Sequence, residues 1–183
     1  MPTVEEYSRQ PAEVSLARLR RAADEIGAAI RGRSEAELVR RPSPSSWAPV
    51  EIVCHLRDVE ELFQQRFHMI IAFEEPEILA FSARPEDLVR WRIGGPIGHP
   101  LDPDRWAAER QYQRQDAEVA LEAFRRRRGE VLALLDGLSP AEWRRGGIHP
   151  TRGRLTLAGW VASLAAHDDN HVAQLARAVE GCA

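Results

Sequence analysis

Lysine is missing altogether: all 25 basic residues are arginine. A chain without lysine has no amine side chain for a Schiff base, so every lysine-centred mechanism is excluded. Cysteine is almost missing too. Cys54 and Cys182 are too few for a disulfide framework, and Cys54 falls inside a helical pattern. That usage predicts a reduced, cytoplasmic setting. There is no run of eighteen apolar residues, so no membrane-spanning segment is expected. Met1 to Arg18 is charged and has no apolar core, so no signal peptide is expected there. A large excess of either charge is lacking as well. The net charge of -3 gives no reason to expect a nucleic-acid partner. No serine–histidine–acid arrangement, internal repeat or low-complexity tract is legible.

What is present is ordinary globular chemistry, with 44% hydrophobic and 29% charged residues, which separates the chain from disordered ones. Its 183 residues suit one domain over 1–183, large enough to bury a core without staples. The apolar spacing is helical almost throughout. From Pro11 to about Arg31 it runs through Leu16, Leu19, Ile26 and Ile30, and Gly32 stops it. The first ten residues read as irregular. Ser34 to Leu38 reads as one short helical turn, and Arg41 to Ser46 as a loop.

A second long helix is predicted over Pro49–Phe73, with Pro49 at its first position and Ala48 as a cap without a side-chain acceptor. Glu77 to Pro103 reads as a long loop with a short helix near Pro85–Trp91. A third long helix is predicted from about Asp104 to Leu135, with Arg125–Arg128 as a solvated charged face. Ser139 starts a helix that Gly146-Gly147 cuts short, and His149 to Gly153 form a turn. The last helix, Leu157 to Val179, is capped by Thr156. Four long helices with almost no strand signal predict an all-α four-helix bundle whose chain order need not be a simple up-down alternation.

Within the last helix, His167 and His171 are four residues apart and project from one face. Such a pair is a pincer for a metal ion, and His55 on the second helix offers a matching third imidazole. Three imidazoles suit a divalent transition metal such as zinc, nickel or iron and leave coordination positions open. A blander reading makes the three rings polar members of a helical core. His68 lies about 140° around the helix from His55 and is not expected to ligate. Arg66 points along the face of His55, as a buried arginine. Glu51 and Asp58 flank His55 by one turn each, placed to accept a ring N–H or a proton. Gln174 stands similarly beyond His171. His149, in the turn before the last helix, is a candidate proton acceptor. Neither cysteine reads as a nucleophile.

Two stretches carry a family resemblance. Trp47-Ala48-Pro49-Val50-Glu51-Ile52-Val53-Cys54-His55-Leu56-Arg57-Asp58-Val59-Glu60 resembles the early signature of the DinB-like (DinB/YfiT) superfamily. His149-Pro150, Gly153, Thr156-Leu157 and then His167-x-x-x-His171-x-x-Gln174 resemble its late signature. The resemblance spans essentially the whole chain. It implies a four-helix bundle with a divalent metal held by three histidines, which map to His55, His167 and His171, and it implies a homodimer. The family's serine at the helix start is Ala48 here, which weakens a cap and not the ligand set. Members include thiol-dependent transferases and hydrolase-like proteins. The resemblance therefore implies a small-molecule substrate, with a low-molecular-weight thiol as one candidate. The rival function is a non-catalytic, metal-stabilised binding or dimeric interaction protein.

Overall fold

Four long helices follow from four amphipathic stretches, each stopped by its own local chemistry. The computed structural model describes residues 2–78 and 102–183. Its helices are α1 (Val4–Ser8), α2 (Ala12–Ile30), α3 (Glu35–Leu38), α4 (Pro49–Ala72), α5 (Pro103–Glu109), α6 (Ala117–Asp136), α7 (Pro140–Trp143) and α8 (Leu157–Val179). A two-stranded antiparallel hairpin, β1 (Gly146–His149) and β2 (Gly153–Thr156), precedes α8. Around the bundle α2 packs on α8, α8 on α4, α4 on α6, and α6 back on α2. The successive long helices α2 and α4 therefore stand across a diagonal, as do α6 and α8.

Three expectations about the elements are corrected. The start of the chain is not irregular: Thr3 and Glu6 form a reciprocal capping box that opens α1. Tyr7 then fastens α1 to α8 by donating its hydroxyl to Asp169 at 2.7 Å. The stretch from Asp104 is not one helix. It breaks at Gln111, whose φ of 52° is left-handed, passes through a 3-10 turn at Tyr112–Arg114, and restarts where Asp116 accepts from the Glu118 and Val119 amides. Short strands also exist, where only a turn was expected. The glycines there are steric necessities: a Cβ on Gly147 would stand 2.7 Å from Ile78 Cγ1, and one on Gly146 would stand 2.5 Å from the Leu155 carbonyl oxygen. That closeness lets the 76–78 segment pair with β1 through Ile148, whose N–H donates to the Pro76 carbonyl. The short helix expected near Pro85–Trp91 lies outside the described residues.

Among the described residues the apolar interior has two lobes. One gathers Ile26, Ile52, Leu56, Leu121, Phe124 and Leu175; the other gathers Leu19, Phe67, Val131, Trp160 and Leu164. Between them lies a buried ionic layer. Arg128 of α6 forks onto Glu60 of α4 at 2.8 and 2.6 Å and reaches Asp168 of α8 at 2.7 Å. Its Nη1 also donates to the Leu19 carbonyl of α2, so one guanidinium ties all four long helices. The arginine run is thus not a uniform solvated face. Arg126 is exposed, whereas Arg128 is 2% exposed. Its place was readable by angle, four residues after Phe124 and three before Val131, inside the apolar stripe.

Candidate metal centre

His55 is delivered by α4. Ala48 makes no side-chain cap, and Glu51 compensates by accepting from the Ala48 N–H at 2.8 Å. Both Glu51 oxygens also accept from Arg41, at 2.8 and 2.5 Å. This pins the 41–47 loop to the helix start, and that loop carries Trp47. The Trp47 ring meets His55 edge-on at 4.9 Å and lies nearly parallel to His171 at 6.4 Å. Its indole N–H donates to Asp104 at the start of α5, at 2.9 Å. Tryptophan therefore forms a wall beside the imidazoles.

α8 delivers the other two rings, and Thr156 caps it by accepting from the Gly159 amide. The structure brings His55, His167 and His171 together: one ring nitrogen from each lies within 4.8 Å of the others. The Nε2 atoms of His55 and His167 are 3.1 Å apart. That is close to the ~3.3 Å between ligand atoms around a tetrahedral ion with bonds of ~2.0–2.1 Å. His171 Nδ1 is 2.7 Å from Gln174 Oε1. The amide oxygen can only accept, so the proton sits on Nδ1 and the Nε2 lone pair is left for a metal. The donor set fits a borderline-soft divalent cation, because three neutral imidazoles leave its full charge uncompensated.

Burial keeps these rings neutral. It pushes His55 down to about 3, helped by neighbouring His171, and drives His167 and His171 below the ordinary imidazole range. His149 is held at about 4 by burial and then by Arg152 and Arg66. The unfolded chain therefore takes up these protons first, near the ordinary value of ~6.5. The stabilisation is full above that pH and is lost as pH falls toward 3–4. Each such histidine contributes a slope of about 1.4 kcal/mol per pH unit in that window. Urea unfolding in chelator-treated buffer should show stability falling steeply between pH 6.5 and 5. A flat profile there would mean the rings are not buried in neutral form.

The remaining candidates have other partners. Asp58 accepts from Arg57 at 2.7 Å, Arg110 at 2.5 Å and Tyr112 at 2.6 Å. Despite burial, these partners hold its carboxyl below the usual range. Glu51 and Asp58 thus sit in ion-pair networks beside the triad, and Gln174 orients the His171 ring. His149 is buried against Trp160 at 5.3 Å, and its Nδ1 accepts from the Thr151 N–H at 3.2 Å. Trp160 precedes His167 by two turns, about 10 Å along α8, and His149 is not among the described walls of the triad's cavity. Arg66 is buried over the rings of Phe63 and Trp160, at 4.7 and 5.5 Å. His68 is exposed. Cys54 is buried, which pushes its thiol up to about 12 and makes it a poor nucleophile. The sequence reading missed the wall role of Trp47 and the Arg128 layer, which carries Asp168, the immediate neighbour of His167.

A cavity of 610 Å³ opens on the triad, bounded by Trp47, Asp104, Asn170, Gln174, Arg177 and Cys182 among others. The profile of the DinB superfamily matches residues 5–175. The chain belongs to that superfamily. The DinB-type bundle is also seen in YfiT from Bacillus subtilis, described as "a probable metal-dependent hydrolase with an unusual four-helix bundle topology". The two align with a TM-score of 0.73 at 20% identity, over 90% of this chain and 83% of YfiT. At that identity the likeness establishes the fold. A search of curated proteins finds no match. Among the described residues no helix is long and apolar enough to cross a membrane.

Proposed function

We propose that this DinB-superfamily protein is a metal-dependent enzyme whose His55, His167 and His171 hold one divalent transition metal, zinc, nickel or iron. When bound, the ion supplies a Lewis acid that lowers the pKa of water or a low-molecular-weight thiol at neutral pH. The observation that carries this reading is the convergence of three neutral imidazoles, one buried and two half-buried, on one point at the floor of an open cavity. Gln174 fixes the tautomer of His171, and Trp47 excludes water from one side of the rings. The Arg128 layer holds α4 and α8 in register. The substrate is a small electrophile that enters between Trp47 and α8.

The water arm corresponds to a hydrolase, in keeping with the description of YfiT, and the thiol arm to a transferase. Homodimerisation and a cytoplasmic location belong to the same proposal. The dimer rests on the family resemblance and on surplus aromatics: Trp106 is half-buried, and Phe81 and Trp91 lie outside the described residues. The test is metal analysis of protein purified without a histidine tag, followed by turnover of ester and epoxide panels with and without added thiols. Light scattering on the same preparation tests the dimer, which a monomer mass at micromolar concentration would refute. One equivalent of metal with metal-dependent turnover is expected. Stoichiometric metal without turnover would favour the rival, a metal-stabilised binding protein. No metal at all would make the rings polar core.

A further inference from the structure

The face of α8 that carries the triad does not end at the metal. His167, His171, Gln174 and Arg177 follow one another at spacings of three or four residues, and all four line the same 610 Å³ cavity. Arg177 lies six residues past His171, about 9 Å farther along the helix axis. It is exposed, and no carboxylate among the described residues lies within ion-pair distance of its guanidinium. It is also the only arginine among the described walls of the cavity. The one acidic side chain among those walls, Asp104, accepts from the Trp47 indole.

The local backbone explains how the cavity's rim is built. Gly181, at φ 75°, closes α8 with a Schellman turn in which the Cys182 N–H donates to the Arg177 carbonyl and the Gly181 N–H to the Ala178 carbonyl. The carbonyls of the last turn are thereby satisfied within the backbone, and the Arg177 side chain is not needed to cap them.

We propose that Arg177 forms an anion subsite at the outer end of this cavity. The preferred ligand would then be elongated, with a metal-reactive group at one end and a carboxylate at the other, roughly a six-carbon chain apart. This rests on the three-histidine metal reading above. Guanidinium recognises carboxylate through two parallel N–H donors, which gives direction as well as charge.

The experiment uses cobalt-loaded full-length protein, in which thiol binding is read from the thiolate-to-cobalt absorption band. The probes are 6-mercaptohexanoate and 6-mercaptohexan-1-ol, which share thiol and chain length and differ in the terminal charge. At low ionic strength the carboxylate should bind about five- to tenfold tighter, and added salt should shrink that preference. Arg177→Gln should bring the two probes within about twofold of each other without weakening the alcohol, and Arg177→Lys should keep part of the preference. Equal binding of both probes by the wild type overturns the subsite alone, as does an undiminished preference in Arg177→Gln. A protein that takes up no cobalt, or that holds cobalt and binds neither thiol, overturns the metal–thiol reading together with the subsite.

Discussion

Replacing His171 by alanine is expected to abolish stoichiometric metal binding, with affinity falling by more than about 100-fold. The figure follows from ranking. Losing an outer hydrogen-bond partner of a ligating histidine costs about 10–100-fold, and losing the ligand itself must cost more. His171 is one jaw of the pair on α8, and its Nδ1 is already engaged by Gln174, so its Nε2 is the nitrogen left for the metal. Gln174→Leu should fall in the 10–100-fold range, because the tautomer is then unfixed while all three rings remain. His68→Ala should change nothing, because that ring is exposed and away from the triad. Metal content after dialysis and competition with a chromophoric chelator measure all three. Full metal content in His171→Ala, or its loss in His68→Ala, would discard the ligand assignment.

Arg128→Met should destabilise the fold by about 3–5 kcal/mol, the range for breaking a buried ion pair by removing one partner. The methionine fills much of the volume. The loss is electrostatic: Glu60 and Asp168, 0% and 1% exposed, would be left as carboxylates with no cation between them. Burial already pushes the Glu60 carboxyl up, and losing the Arg128 charge that opposes this should push it further, so the variant's Glu60 should take up a proton more readily as pH falls. Two consequences separate this from ordinary cavity formation. Lowering the pH from 7.5 to 6 should narrow the gap between variant and wild type, and adding Glu60→Gln and Asp168→Asn should recover much of the loss. Urea midpoints of the single and triple variants decide it. A single variant within 1 kcal/mol of wild type, in the range of ordinary surface changes, would show that the layer is dispensable.

The Arg128 case also shows why part of the molecule was legible and part was not. The run Arg125–Arg128 looks like one charged surface because composition counts charges without angles. At 100° per residue, four successive arginines must point in four directions, and one of them falls in the stripe of Phe124 and Val131. Its burial depends on two carboxylates arriving from α4 and α8, 68 and 40 residues away in sequence. Glu51 and Asp58 show the converse. Their helical positions beside His55 were read correctly, but angle on one helix does not reveal which arginines another segment brings. Arg41 and Arg110 engage those carboxylates from the preceding loop and from the residue just after α5. His149 was expected near the open side of the metal. Its short strand pairs with β2 and packs it on Trp160 instead.

The four amphipathic periods, the stops at Gly32 and Gly137, the Thr156 cap and the placement of His167 and His171 on one face were determined by the sequence alone. Each depends on backbone geometry within a few residues, and a few residues are enough to specify it. The tertiary structure decided the rest. It set the diagonal order of α2 and α4, the break at Gln111, the docking of α1 through Tyr7, and the arrival of His55 at a pair of rings 112 and 116 positions downstream. Those outcomes depend on which surfaces bury one another. A helical period fixes only that a face must be covered, and packing chooses the partner that covers it.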